Sequence, residues 1–145
     1  MRTQFDHEKL EVYQPELAFI TWVTPLLAKV KQSGGTVRAT EVIDQLDRAS
    51  LSALLNTAEG NGRRQRQTRV KFFDDARGSA TECAACLDPL VAKTLCSTEE
   101  VSEGKALLLR IVSILTKLIA HFESSFSMVR EEPAESEEEE DDENE

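Results

Sequence analysis

The stretch "NTAEGNGRRQRQTRVKFFDDARGSATE", residues 56–82, decides the fold. It joins the end of one helical pattern to the start of another through a glycine-containing turn. Upstream, Val42, Leu46, Ala49, Ala53 and Leu54 recur at helical spacing and predict a helix over about residues 39–59. Gly60 and Gly62 follow. Glycine takes a left-handed helix terminus at little cost, so the pair reads as a stop. Downstream, Phe73, Ala76, Ala80, Cys83, Leu87 and Leu90 form a second stripe. They predict a helix that starts within 63–67 and ends near Lys93. Gly78 interrupts it at a cost of about 1 kcal/mol relative to alanine, which predicts close approach of another backbone. Pro89 predicts a bend near its end.

Working outward, Leu10, Tyr13, Leu17, Ile20, Leu27 and Val30 predict a first helix over residues 8–31, with Asp6 as its N-cap. Pro15 and Pro25 each lack a backbone donor and predict a kink or break. "QSGGT", residues 32–36, makes the loop that follows. At 97–100, "STEE" is a capping box, Ser97 paired with Glu100. It opens a fourth helix to about Phe126, with Val101, Leu108, Ile111, Leu115, Leu118, Phe122 and Phe126 as its stripe. Leu107 and Ile114 lie outside that stripe and predict a second apolar side, which suits an oligomer interface. Strand signals are few. Four helices joined by short loops define an all-α, antiparallel up-down-up-down bundle, each helix roughly 30–40 Å long.

The formal net charge of −10 comes from 17 Lys+Arg against 27 Asp+Glu over 145 residues. Eleven of those acids, and no base, lie in residues 131–145, which leaves 16 acids against 17 bases in the rest. The chain therefore divides into a near-neutral bundle domain, residues 1–127, and an acidic tail, residues 128–145. "EEPAESEEEEDDENE" carries nothing apolar larger than alanine, so disorder is expected. Two readings of the tail stand: a solubilising segment, or a competitor with nucleic acid for basic residues of the body. Three cysteines and no apolar leader imply a reducing, cytoplasmic setting. No run reaches the ~20 apolar residues of a membrane span.

The charge on "RRQRQTRVK", residues 63–71, is what architecture leaves unexplained. Arg63, Arg64, Arg66, Arg69 and Lys71 are five bases in nine residues with no acid among them. Such a cluster neutralises phosphates, independently of sequence and sensitively to salt. It also sits where cations oppose the helix dipole. No aromatic interleaves the bases, so stacking on single strands is not supported. A phosphate cradle is the weaker reading: "EGNGRR" lacks the P-loop Lys-Ser/Thr and follows a helix rather than a strand. Cys83 and Cys86 are spaced C-x-x-C, but no second pair or nearby histidine completes a zinc site. His7 and His121 alone do not make one either. No cofactor or metal is expected.

Several fragments resemble one bacterial family, the four-helix-bundle proteins related to the 23S rRNA intervening-sequence proteins. "FDHEKLEVYQ" is similar to its opening. "NTAEGNGR" resembles its N-I-A-E-G-x-G-R motif, with Thr57 in place of isoleucine. "FFDDARGSATE" resembles its F-L-x-x-A-R-G-S-x-x-E motif. The likeness covers residues 5–122. "CAAC" at 83–86 and the acidic tail depart from the pattern. The resemblance implies a left-handed bundle that assembles into a cyclic homopentamer without enzymatic activity. It also implies kinship with accessory proteins of diversity-generating retroelements, which bind nucleic acid and a reverse transcriptase. The motif residues Asn56, Glu59, Gly60, Gly62, Arg77, Gly78, Ser79 and Glu82 are expected to be structural. Of these, Glu59, Arg77 and Glu82, together with Arg63, are expected to pair with one another or across subunits.

The expectation is therefore a non-enzymatic, cytoplasmic, homo-oligomeric scaffold whose residues 63–71 contact RNA or DNA. The alternative is an adaptor whose protein partner meets the apolar outer side of helix four or the ring surface.

Overall fold

The computed structural model describes residues 4–33 and 37–130, with side chains to residue 124. A 3-10 turn, Asp6–Lys9, precedes four α-helices: α1 Tyr13–Gln32, α2 Thr40–Asn61, α3 Arg66–Ala92 and α4 Thr98–Arg130. Among the described residues there is no strand, and no helix is long and apolar enough to cross a membrane. The acidic tail from residue 131 and the expected glycine loop at 34–36 lie outside the described residues.

Each helix buries one stripe, and the four stripes meet in a single core. The stripe of α3 is the one its spacing predicts: Phe73, Ala76, Ala80, Cys83, Leu87 and Leu90 are all buried. On α4, Val101, Leu108, Ile111 and Leu115 are buried with Ile119. On α1 the buried face is Pro15, Glu16, Phe19, Val23, Leu27 and Val30, with Val12 buried at its N-cap. Leu17 and Ile20, expected inside, are only half-buried. The acid at position 16 concealed the true stripe.

Side-chain contacts run in opposite senses along neighbouring helices. From α2 to α3 they pair Gln45 with Glu82, then Ser52 with Ser79. From α3 to α4 they pair Asp88 with Lys105 at 2.5 Å, Arg77 with Thr116, then Arg69 with Phe122. From α1 to α4, Trp22 meets Gly104 and Lys29 pairs with Glu100. The start of α3 and the far end of α4 therefore share one end of the bundle.

Termini follow local chemistry with some corrections. The capping box is formed: the Ser97 N–H donates to Glu100 Oε1 at 2.7 Å, and the Glu100 N–H donates to Ser97 Oγ at 3.0 Å. The break expected from the prolines falls before Tyr13, and α1 runs on through Pro25. Pro15 sits in the first turn, where a missing donor costs nothing. Asp6 is not a helix cap; its carboxylate accepts from Asn61 Nδ2 at 2.9 Å, which ties the 3-10 turn to the end of α2. Gly60 does not stop α2 but lies inside it, and Gly62 has φ −86°. Among the described residues the left-handed one is Thr94, at φ 59° after α3, where the Leu95 and Cys96 N–H groups both reach the Leu90 carbonyl.

Gly60 works by size. A Cβ there would come within 2.9 Å of Phe72 Cβ and 3.1 Å of the Phe73 ring. Its absence lets α3 lie close against α2. Gly78, where close approach is expected, is exposed with nothing within 4 Å of a would-be Cβ.

Leu107 and Ile114 do not form a second apolar side on α4: both are half-buried against the core. Among the described side chains of the helices, the large apolar ones left exposed are Leu51 and Leu55 on α2 and Leu109 on α4.

Candidate nucleic-acid interface

The basic cluster occupies the corner where α2 turns into α3. The Gly62 N–H donates to the Ala58 and Glu59 carbonyls, and the Arg63 N–H to the Gly60 carbonyl at 3.1 Å. Helix α3 then starts at Arg66 with Gln65 before it, without a side-chain cap and without an acid in its first turn. The exposed N–H groups and the dipole make this terminus electropositive, and the arginines add to that field.

The five bases divide by how they are held. Arg69 is structural. Its Nε and one terminal nitrogen donate to the Arg63 carbonyl at 3.2 and 2.7 Å, and its guanidinium lies 4.9 Å from the Phe122 ring centre. It therefore closes the turn and joins it to α4. Arg63 pairs with Glu59 and lies over Phe72 at 5.1 Å. Lys71 pairs with Asp75 at 3.2 Å and approaches the same ring at 5.8 Å. These pairs are exposed, and exposed pairs contribute about 0–1 kcal/mol, so an arriving phosphate can replace the carboxylate. Among the described residues, Arg64 and Arg66 have no ion-pair or hydrogen-bonded side-chain partner. The sequence places no aromatic among the bases, yet the fold sets Phe72 and Phe122 against three of them. Phe122 arrives from α4, so only the fold reveals it.

Beside this corner a groove of about 940 Å³ runs between α3 and α4. Arg66, Lys71 and Arg77 line it with Thr116 and Phe122, and Asp74 and Glu123 are its acids. Arg77 donates to Asp74 Oδ1 at 2.6 Å and to Thr116 Oγ1 at 3.2 Å, so its head is fixed across the groove.

The motif residues do not all meet. Glu59 pairs with Arg63, whereas Glu82 accepts from Gln45 and Arg77 turns to Asp74. Ser79 meets Ser52 at 3.0 Å, and Asn56 Nδ2 donates to Ser52 Oγ and to the Ser52 carbonyl, each at 3.0 Å. This ladder fixes the register of α2 on α3. Gly60 allows their approach, Gly62 carries the turn and Gly78 faces outward.

Among the described residues no cluster of His, Cys, Asp and Glu is arranged to hold a metal ion. Burial, with smaller contributions from Cys86 and Glu82, pushes the Cys83 thiol up to about 12, so it is not a thiolate near neutral pH.

Four helices around one core, registered by a polar ladder and carrying a basic corner, define a small four-helix-bundle protein. The family model for 23S rRNA-intervening sequence proteins matches residues 8–117, and the chain belongs to that family. No curated protein matches it. The matched span covers the α2–α3 corner and stops before the end of α4.

Proposed function

We propose that the chain is a non-enzymatic, cytoplasmic, homo-oligomeric scaffold that holds RNA or DNA against the α2–α3 corner. The family resemblance supports pentameric assembly, and a ring would repeat the corner around its axis. The observation that carries the binding reading is the pair Arg64 and Arg66, uncommitted at an acid-free, uncapped helix start. Arg63 and Lys71 join them by leaving exposed carboxylates, while Arg69 keeps the corner in shape. Four phosphate contacts of this kind give a slope of about −3 to −4 in log affinity against log salt on duplex DNA.

The test compares the chain ending at Arg130 with full-length protein on a labelled homopolymer and a random duplex, from about 50 mM salt upward. Among the described residues, all the buried core positions lie at or before Ile119, so the shorter chain keeps them. Arg64→Gln with Arg66→Gln is expected to reduce the salt slope by about 2 on every sequence tried. The reading is abandoned if the shorter chain retains no nucleic acid at the lowest salt. Native mass spectrometry of the same samples counts the subunits.

A protein partner is the second reading. It is favoured by Leu51 and Leu55, one helical turn apart on α2 and each about half exposed (51% and 55%). Arg63→Glu, Arg64→Glu and Arg66→Glu together separate the two readings. A partner held on the leucines survives that change, and nucleic acid does not.

A further inference from the structure

The acidic run is joined to the end of α4 that shares one end of the bundle with the basic corner. Phe122 and Glu123 on α4 line the groove beside Arg66 and Lys71. From there α4 continues to Arg130, roughly 12 Å further along its axis. Fifteen residues follow, of which eleven are acidic, and positions 137–143 are seven acids in succession. Fully extended, fifteen residues span up to about 50 Å, several times the return distance to Arg64.

Charge selects the destination. Residues 63–71 hold five bases in nine with no acid, at the positive end of the α3 dipole. At the opposite end of the bundle Lys29 and Lys105 are already paired, with Glu100 and Asp88, and no other nine-residue stretch of the chain holds five bases. The carboxylates nearest the corner are taken up elsewhere than on Arg64 and Arg66: Glu59 pairs with Arg63, Asp75 with Lys71 and Asp74 with Arg77. A tethered segment of this length meets its own body at millimolar effective concentration, so weak exposed contacts add up to appreciable occupancy.

We infer that residues 137–143 dock on the α2–α3 corner of their own subunit, on Arg64 and Arg66, and act as an internal mimic of a phosphate backbone. The docking stands on charge and reach alone. Its consequence, that the tail excludes nucleic acid until a longer polyanion displaces it, rests on the function proposed above. Carboxylates in succession present one charge per residue along an extended chain, so the two anions cannot occupy the same arginines together. Salt weakens both, but a nucleic acid that engages several subunits of an oligomer gains from multivalency, whereas a tail serves one corner.

The test keeps the full chain. One variant converts the acids at 137–143 to their amides, Glu→Gln and Asp→Asn, which preserves length and shape. Amide resonances of isotope-labelled protein are recorded for both forms at about 50 mM salt and again near 0.5 M. Neutralisation is expected to shift Gly62 to Lys71 at low salt, and the two spectra are expected to converge there at high salt. A labelled homopolymer oligonucleotide is then expected to bind the neutralised form at least about tenfold more tightly at low salt. If neutralisation leaves residues 62–71 unmoved, or moves another part of the bundle instead, the docking is overturned. If those residues shift but neither form binds the oligonucleotide, the docking stands and the nucleic-acid reading falls. If the shifts vanish when labelled full-length chains are diluted into an excess of neutralised ones, the tail serves a neighbouring subunit, and docking on its own body is overturned.

Discussion

Replacing Glu16 with leucine is expected to stabilise the protein by about 2–4 kcal/mol at pH 8 and by little at pH 5. Glu16 is 2% exposed, in the core between α1 and α2. Oε2 meets the Thr57 hydroxyl at 2.6 Å, while Oε1 is buried without a partner. Burial drives its pKa up to about 8, and the Thr57 contact only partly opposes the rise. The geometry suits a neutral acid. Thr57 has one hydroxyl hydrogen, and the Ala53 carbonyl lies within reach of it at 2.9 Å. A protonated Glu16 can supply the hydrogen between Oε2 and Oγ1, leaving Thr57 free to donate to Ala53.

The sign follows from proton counting. Between the unfolded value near 4.5 and the folded value near 8, the folded chain holds a proton that the unfolded chain has released. Stability therefore falls through that window as pH rises, by up to about 1.4 kcal/mol per pH unit. Below it the group is neutral in both states and no penalty remains. Urea unfolding of wild type and Glu16→Leu at pH 5, 6.5 and 8 isolates the effect, because every other titrating group cancels in the difference. A difference that stays flat across the three pH values would refute the assignment. Thr57→Ile, which removes the hydroxyl and leaves Glu16 in place, is expected to lower stability, because it strands the carboxyl.

That pair also shows how far the sequence could be read. The stripe of α3 was legible because its core positions are all apolar and its exposed face is mostly polar. The stripe of α1 was not, because Glu16 interrupts it and apolar Leu17 and Ile20 lie beside it, so two faces compete at the same period. The capping box was legible because both of its groups are local in the chain. The basic cluster could be found, but not its division of labour. Arg69 looks the same as Arg64 in the sequence, and only the return of α4 puts Phe122 against it, while among the described residues Arg64 has no ion-pair or hydrogen-bonded side-chain partner. Charge is a property of sequence, whereas commitment of a charge depends on which helix comes back beside it.

The glycines make the same point with opposite signs, and they carry the second large effect. Gly104→Ala is expected to destabilise the protein by about 2–3 kcal/mol, whereas Gly78→Ala is expected to stabilise it by about 1 kcal/mol. Each lies within a helix, where propensity alone favours alanine at both. At Gly104 a Cβ would lie 2.7 Å from Cε3 of Trp22 and closer still to two other ring carbons. Phe19 lies against the ring, tilted by 36° with centres 5.6 Å apart, and opposes its displacement. Either α4 withdraws from α1 or the indole leaves its place. Trp22 is the chain's single tryptophan, so its emission reports the outcome directly. A red shift accompanied by a lower unfolding midpoint is expected for Gly104→Ala, with partial recovery when Trp22→Leu is added. A Gly104→Ala protein of unchanged emission and stability would mean that the two helices do not meet there. At Gly78 no atom of the chain stands in the way, and the gain is the ordinary one of alanine over glycine. A loss there, together with fewer subunits by native mass spectrometry, would place a second copy against that face. The close approach expected of this glycine would then lie between subunits rather than within one.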